Sequence, residues 1–365
     1  VGLAVSIIVT SYSWKTIYIY LIIYQVLTIV VSLLIFKGRT GHKRYPLYQI
    51  DWLGSALFIT AGITMAYTMI YGPKYYWFDD SRIVFSAVAS LIALGAFMLR
   101  LSAAKRPMVN LDVFKHRNFI IGLILLAFYY GVKDSINLIY GYTASVLKWG
   151  TTDTVFLALV SVMGMITAMA ITAQLLLRYR HHITYFFVTG FSLMLFYHLY
   201  IFYIITPDLA FSDLVIPVFI QGAASGTLMV PIVIFILSSV PTYTGTTGVV
   251  VAAYTRFTAT LNSIAGFYSL QLYYNQSHRE GLLNGLSIED TAMIQRLSDY
   301  GQSASTAYSS LNKVVVVQAQ LLTIRSVFIW SSAALVLTLV LILLIPSLNK
   351  TMLHWNKRMF IMRRK

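Results

Sequence analysis

Residues 118–142 read NFIIGLILLAFYYGVKDSINLIYGY, and this stretch decides the class of the fold. Most of it is what a lipid-spanning helix requires: about 20 mainly apolar residues, rising ~1.5 Å each, cover the ~30 Å of bilayer hydrocarbon. Near its middle stands the pair Lys133-Asp134. An ionised side chain at bilayer depth costs at least ~2.5–3.5 kcal/mol. Asp134 is the one carboxylate that falls deep inside an expected span. Two readings of the pair stand side by side. The charges partly neutralise each other and fasten the helix to its neighbours, or they mark a proton or substrate pathway, as intramembrane acids usually do.

The rest of the chain agrees with a membrane setting. Of 365 residues, 58% are hydrophobic and 11% charged, against about 25% charged in soluble domains. Long apolar runs point to helices, because a barrel would show alternating strands of about ten residues. The expectation is an all-α integral membrane protein. There is no cysteine, hence no disulfide and no thiolate metal site. Nothing calls for a metal or any other cofactor. The sequence opens on Val1, without a basic leader, inside an apolar segment, so an N-terminally incomplete chain is expected.

Outward from the central stretch, residues 1–10 read as the end of a span. Complete spans follow at 17–36, 52–71, 83–99, 118–142, 155–177, 183–205, 214–237, 248–270 and 326–345. That is nine plus a partial one. Taking loops on alternate sides, one side with the C-terminal tail holds 17 of the 27 Lys and Arg, the other holds 8, and Lys133 and Arg256 lie inside spans. Nine acids lie on the poor side, against Asp51 and Asp112 on the rich one. Basic loops stay inside, which makes the basic side and the C-terminus cytoplasmic. The net charge of +15 then reflects topology and contact with anionic membrane lipids, not nucleic acid.

Segment 273–325 is the one sizeable polar piece, expected as an outer loop. Within it Ser287 and Asp290 have the spacing of a helix start, and Gly301 suits a stop. Ala307, Leu311, Val314, Val315, Leu321 and Leu322 recur at helical spacing, as an amphipathic helix on the outer surface or a packed connector. Asn275-Gln276-Ser277 is a glycosylation sequon by pattern alone.

Several polar groups accompany the central pair. Tyr130, Lys133/Asp134, Asn137 and Gly141 recur every three or four residues, as one stripe of a continuous helix. Lys133 and Asp134, adjacent and so about 100° apart, need further partners on other spans. Counting ~1.5 Å per residue from the ends of the spans sets Arg256 about 10 Å shallower than Asp134, which favours a shared water-filled cavity over a direct pair. Gln221 stands in mid-span, an interhelical bond or a cavity lining. Gly222 and Gly226 have the spacing of close helix packing, and Pro231 is expected to kink their helix. His198 reads as a hydrogen-bonded structural residue, and His181-His182 as a contact for anionic lipid. Nucleotide-binding, metalloprotease and hydrolase motifs do not occur. No enzyme class is indicated.

The order of motifs resembles the fourteen-span drug:proton antiporter family (EmrB/QacA type) of the major facilitator superfamily. SYSWKTIYIYLI is similar to the turn after its fifth span, and IDWLGSALF to the start of its two-helix insert. RPMVNLDVFKHRNF is similar to the linker into the C-terminal half, IPVFIQGAASGTLMVPI to the F-x-Q-G pattern, and RFTATLNSIAG to N-F-x-R-x-L-x-x-S-x-G. Departures are clear. The basic position of the last pattern falls on Ala259 with Arg256 at the preceding Asn position, and the fifth-span motif is reduced to Gly2.

The resemblance implies a major facilitator helical bundle. Residues 1–36 would end the N-terminal half, 37–117 would be linker and insert, 118–346 a six-helix half-bundle, and 347–365 a basic cytoplasmic tail. It implies a secondary transporter of the inner membrane exporting amphipathic or lipophilic small molecules against protons. Asp134 and Lys133 would couple protons, and Tyr130, Asn137, Gln221, Arg256 and Asn262 would line the cavity. A periplasmic adaptor protein and an outer-membrane channel would be partners. The alternatives are a proton-coupled importer of a small anionic metabolite, drawn by Lys133 and Arg256, and a membrane scaffold without transport.

Overall fold

The computed structural model describes residues 15–35, 51–104, 106–179, 183–285, 291–300 and 304–344. Among them the regular structure is helical, with no strand. Long apolar segments in lipid satisfy their backbone groups internally, and the helix is the simplest way to do so. The helices are α1 (Thr16–Ile35), α2 (Trp52–Tyr71), α3 (Ser81–Ala103), α4 (Arg117–Lys133), α5 (Ile136–Ser145), α6 (Thr151–Arg178), α7 (Ile183–Ile204), α8 (Phe211–Ser238), α9 (Gly245–Asn284), α10 (Thr291–Tyr300) and α11 (Ala304–Leu344). Eight segments are long and apolar enough to cross a membrane, with α4 and α5 counted together. The ninth expected span, 248–270, lies within α9. It is helical, but Thr255, Arg256, Thr258, Asn262 and Ser263 keep α9 out of the set that qualifies on apolarity. Residues 1–14, 36–50, 180–182, 286–290 and 345–365, with the readings made on the partial span, His181-His182, the Ser287 start and the tail, lie outside the described residues, as does Gly301.

α8 is the axis of the bundle, packed on α4, α6 and α7. Its glycines set the closest approach. A Cβ on Gly222 would run into the Ser161 carbonyl oxygen of α6, and one on Gly226 into that of Met165. Gly164 does the same from the other side, toward the Phe219 carbonyl. With no hydrophobic driving force between helices in lipid, such small-residue contacts gain their stability from van der Waals packing. α8 continues as helix through both Pro217 and Pro231. α7 packs on α8 through Gly190, which receives Leu228, and α11 packs on α7 and α9. Fully buried Phe187, Phe191, Tyr197, Phe235 and Phe328 fill the space between them. α1 buries no residue.

The α2–α3 hairpin docks on α9, with Phe58 against Phe97 (5.2 Å) and Tyr254 (4.5 Å). Its base explains the IDWLG motif physically. Asp51 is the N-cap of α2, accepting the Gly54 N–H at 2.9 Å. Arg100, at the end of α3, donates to the same oxygen at 2.9 Å. A Cβ at Gly54 would strike that carboxylate, so glycine as the third residue after the Asp lets the carboxylate sit close over the helix end.

The described residues of the polar segment 273–325 are almost wholly helical. α9 runs unbroken for 40 residues and α11 for 41, about 60 Å each at ~1.5 Å per residue, roughly twice the hydrocarbon thickness. The expected amphipathic helix is thus the first part of α11. The two extensions pair: His278 Nε2, whose ring stacks on Tyr274 of its own helix at 5.8 Å, and Ser326 Oγ share a hydrogen bond of 2.9 Å, and Arg279 donates to Asn312 at 3.4 Å. Arg325, expected in the loop, donates to the Ile205 carbonyl at the end of α7 at 2.9 Å.

Candidate translocation site

The decisive stretch is not one helix. α4 ends at Lys133, Asp134 is its C-cap (φ −78°, ψ 1°), and α5 starts at Ile136. Across the break the bonds tighten to i→i+3: Ser135 N–H to Val132 O, Asn137 N–H to Asp134 O, and Leu138 N–H to Ser135 O, all 3.0–3.1 Å. A helix interruption at membrane depth is tolerated only where the freed carbonyls find other donors. Here they come from two neighbouring helices. Ser263 on α9 donates to Gly131 O at 2.9 Å, and Gln221 on α8 donates to Lys133 O at 3.2 Å. Gln221 accepts in turn from Ser161 on α6 at 2.8 Å. It is 2% exposed. Of its two readings the geometry is that of an interhelical bond; expected at the cavity wall, it lies inside the packing and holds the break open.

At the break the charged groups meet around one ring. Lys133 Nζ lies 3.5 Å from Asp134 Oδ1 and 5.4 Å from the centre of the Tyr130 ring. The Arg256 guanidinium lies 5.2 Å from the same ring. Two cations from different helices thus face one aromatic, the attraction a π quadrupole provides. α9 starts at Gly245, three residues before the expected 248. Counted from the starts of α9 and α4, Arg256 and Tyr130 stand ~17 and ~20 Å along their helices, so the guanidinium reaches the ring, while Asp134 stands ~26 Å along and keeps the expected offset of roughly 10 Å. Tyr130 is braced by an edge contact with Tyr129 at 4.8 Å, whose hydroxyl donates to Ser225 O at 3.4 Å.

Asp134 is under-satisfied. Its side chain is 14% exposed, and Oδ2 is buried with no hydrogen-bond partner among the described residues. Ser135 Oγ and Tyr197 OH are in the same condition. A buried carboxylate oxygen without a donor is costly, so water, a proton or a substrate group is favoured there.

The break also splits the expected stripe. Asn137 and Gly141 belong to α5, re-phased by the turn, and both are exposed. Gly141 lines a cavity of about 240 Å³ between α5, α9 and α11, with Gln271, Asn275, Gln320 and Thr323 among its walls. Asn262 is exposed on α9 and donates to Thr258 O of its own helix at 3.0 Å. His198 is fully buried, its Nδ1 bonded to Met194 O at 2.7 Å. The structure therefore brings together Lys133, Asp134, Tyr130 and Arg256, places Gln221 behind them, and leaves Asn137 and Asn262 apart. Sequence reasoning passed over Ser263 and Ser161. Their only signal was a small hydroxyl in an apolar span.

No protein-family model matches the chain. It is 22% identical over 344 residues to "Multidrug export protein EmrB" of Escherichia coli (strain K12), covering 90% of this chain and 64% of that protein. The protein of the same name from Escherichia coli O157:H7 gives the same figures. "Probable multidrug resistance protein EmrY" of Escherichia coli (strain K12) is 23% identical over 241 residues, 63% of this chain and 44% of that protein. The chain spans a little under two thirds of the length of the first of these relatives.

Proposed function

We propose that this chain, a member of the EmrB-type family of multidrug export proteins, forms the proton-coupling half of a drug:proton antiporter, with residues 118–346 as a half-bundle around the α4–α5 break. The single observation that supports this most is the Asp134 Oδ2 left without a partner at the break, beside Lys133 and the Tyr130–Arg256 contact. Opening of the cavity would hydrate and load the carboxyl, and closure would release the proton or exchange it against substrate. Tyr130 supplies a flat face for lipophilic groups, and the break gives the helix a place to bend.

The orientation follows the charge asymmetry: basic loops and C-terminus cytoplasmic, the α9–α11 extensions outside. Those extensions are then the surface an adaptor protein would meet. Asp134→Asn in the protein expressed at full length tests the reading, because it keeps the shape and removes titration. The expected result is normal membrane abundance with proton-driven drug export reduced at least ~100-fold, the loss typical of removing a proton-transfer group. Export with an unchanged pH dependence overturns it.

A second reading rests on the two cations that face one aromatic ring: proton-coupled uptake of a small anionic metabolite. Unchanged drug sensitivity together with lost metabolite uptake, in cells lacking the gene, would favour it over export.

A further inference from the structure

The hairpin and α9 enclose a second cavity, remote from the break. It measures about 600 Å³ and lies between the α2–α3 turn and the extension of α9. Lys74, Tyr76 and Trp77 form one wall, and Tyr268, Tyr273 and Arg279 stand on the other. Both charged lining residues are cations. Among the described residues neither is in an ion pair. The nearest acids in sequence, Glu280 and, on the turn, Asp79 and Asp80, do not line the cavity; Glu280 accepts from Gln276 at 2.9 Å and Asp80 from the Arg82 N–H at 2.7 Å.

The turn is a built wall. Tyr76 and Trp77 both have positive φ, 56° and 58°, a conformation bulky L-residues seldom adopt. It is held by the Trp77 N–H, which donates to Gly72 O at 2.7 Å. The Trp77 ring lies over Gly72, where a Cβ would come within 2.7 Å of it. The backbone is thus bent to fold this indole back over the end of α2. Depth is the other guide. Lys74 stands 22 residues beyond the start of α2, and Tyr268 and Arg279 stand 23 and 34 beyond the start of α9. At ~1.5 Å per residue these are about 33, 35 and 51 Å from the basic side. The hydrocarbon is ~30 Å thick and headgroups extend the bilayer to ~40–45 Å. The cavity begins in the far headgroup layer and opens away from it.

We infer that this cavity binds the headgroup of an anionic phospholipid of the leaflet opposite the basic loops, with Lys74 at the phosphate, Trp77 and Tyr268 against the glycerol and first methylenes, and Arg279 at the outer mouth of the cavity. Aromatic rings at headgroup depth suit the polar–apolar boundary, and the paired cations select an anionic over a zwitterionic lipid. The site ties the hairpin to α9, the helix that carries Arg256.

The test uses the tryptophan itself. The full-length protein is reconstituted in phosphatidylcholine bilayers doped with brominated phosphatidylglycerol or brominated phosphatidylcholine. Quenching due to Trp77 is the difference between the unsubstituted protein and Trp77→Phe. Expected is stronger quenching by the anionic lipid, with selectivity falling roughly fivefold for each cation removed in Lys74→Gln and Arg279→Gln. Equal quenching by the two lipids overturns the inference, as does a preference that survives the double substitution. Soluble glycerol phosphate distinguishes the source. If millimolar amounts abolish the preference, the site reads free phosphate esters and the lipid assignment fails.

Discussion

Two aspartates, one at the hairpin base and one at the helix break, show how the same side chain fares at opposite ends of a helix. Asp51 Oδ1 accepts from the Gly54 N–H and from Arg100, both at 2.9 Å, and its side chain is 2% exposed. Asp134 Oδ1 has the neighbouring lysine at 3.5 Å, and Oδ2 has no partner among the described residues. Asp51 sits where a helix starts and its backbone N–H groups are free, so its Oδ1 gains a cap donor beside Arg100, although its Oδ2, like that of Asp134, is buried without a partner among the described residues. Asp134 sits where a helix ends, among free carbonyls that repel a carboxylate. The donors that reach the break serve those carbonyls instead, so the two carboxylates differ in what reaches their Oδ1.

The sharpest way to break this comparison is to remove the donor that keeps the break satisfied. Gln221→Leu orphans the Lys133 carbonyl and the Ser161 hydroxyl, each at ~1 kcal/mol or more. A loss of about 2–3 kcal/mol is expected, read as lowered thermal stability in detergent. A variant as stable as the parent would mean the break holds itself open.

Asp51→Ala comes next, at about 1–2 kcal/mol for a lost cap. Arg100 adds little because its side chain is 38% exposed and water screens it. Asp51 also gives a pH signature. Burial pushes its pKa up, but the Gly54 N–H and the Arg100 guanidinium outweigh that and hold it below the usual 3.8. Its contribution is therefore present in full above pH ~4 and is lost as pH falls through the lower folded value. The hairpin should dock normally at neutral pH and loosen only in stronger acid. Tyr254 fluorescence against Phe58, or proteolysis of the turn, follows this.

Asp134→Asn should change stability least of the three, by under about 0.5 kcal/mol, since the carboxylate it replaces makes one long contact. A large destabilisation would turn Asp134 into a static lock and remove the contrast. The exposed Asp112–Lys115 pair (2.7 Å) is the control. Asp112→Ala should leave the melting temperature unchanged.

Much of the fold could be read from the chain in order. The apolar runs at 52–71 and 183–205 coincide with α2 and α7 to within a residue, because in lipid the length of an apolar run and the length of a helix are set by the same thickness. The site was legible in its parts. Lys133, Asp134, Tyr130 and Arg256 each stand out as polar groups in apolar spans, and the structure assembles these four. Asn137 was misplaced because helical phase was carried through a break that hydropathy does not register. Gln221 was placed at the cavity for its polarity, when its partners lie inside the packing.

By itself the sequence determined the class of fold, the membrane setting and which residues are unusual, since these follow from local composition against the thickness of a bilayer. Only the tertiary structure decided that the central span is broken, that Arg256 and Lys133 share the Tyr130 ring, and that α9 and α11 run on as long helices into segment 273–325. Each of these depends on donors, rings or helix faces supplied from elsewhere in the chain: Gln221 and Ser263 for the break, α9 for the ring, and each extension for the other. No local pattern carries that information, because a carbonyl is satisfied by whichever donor the packing brings to it.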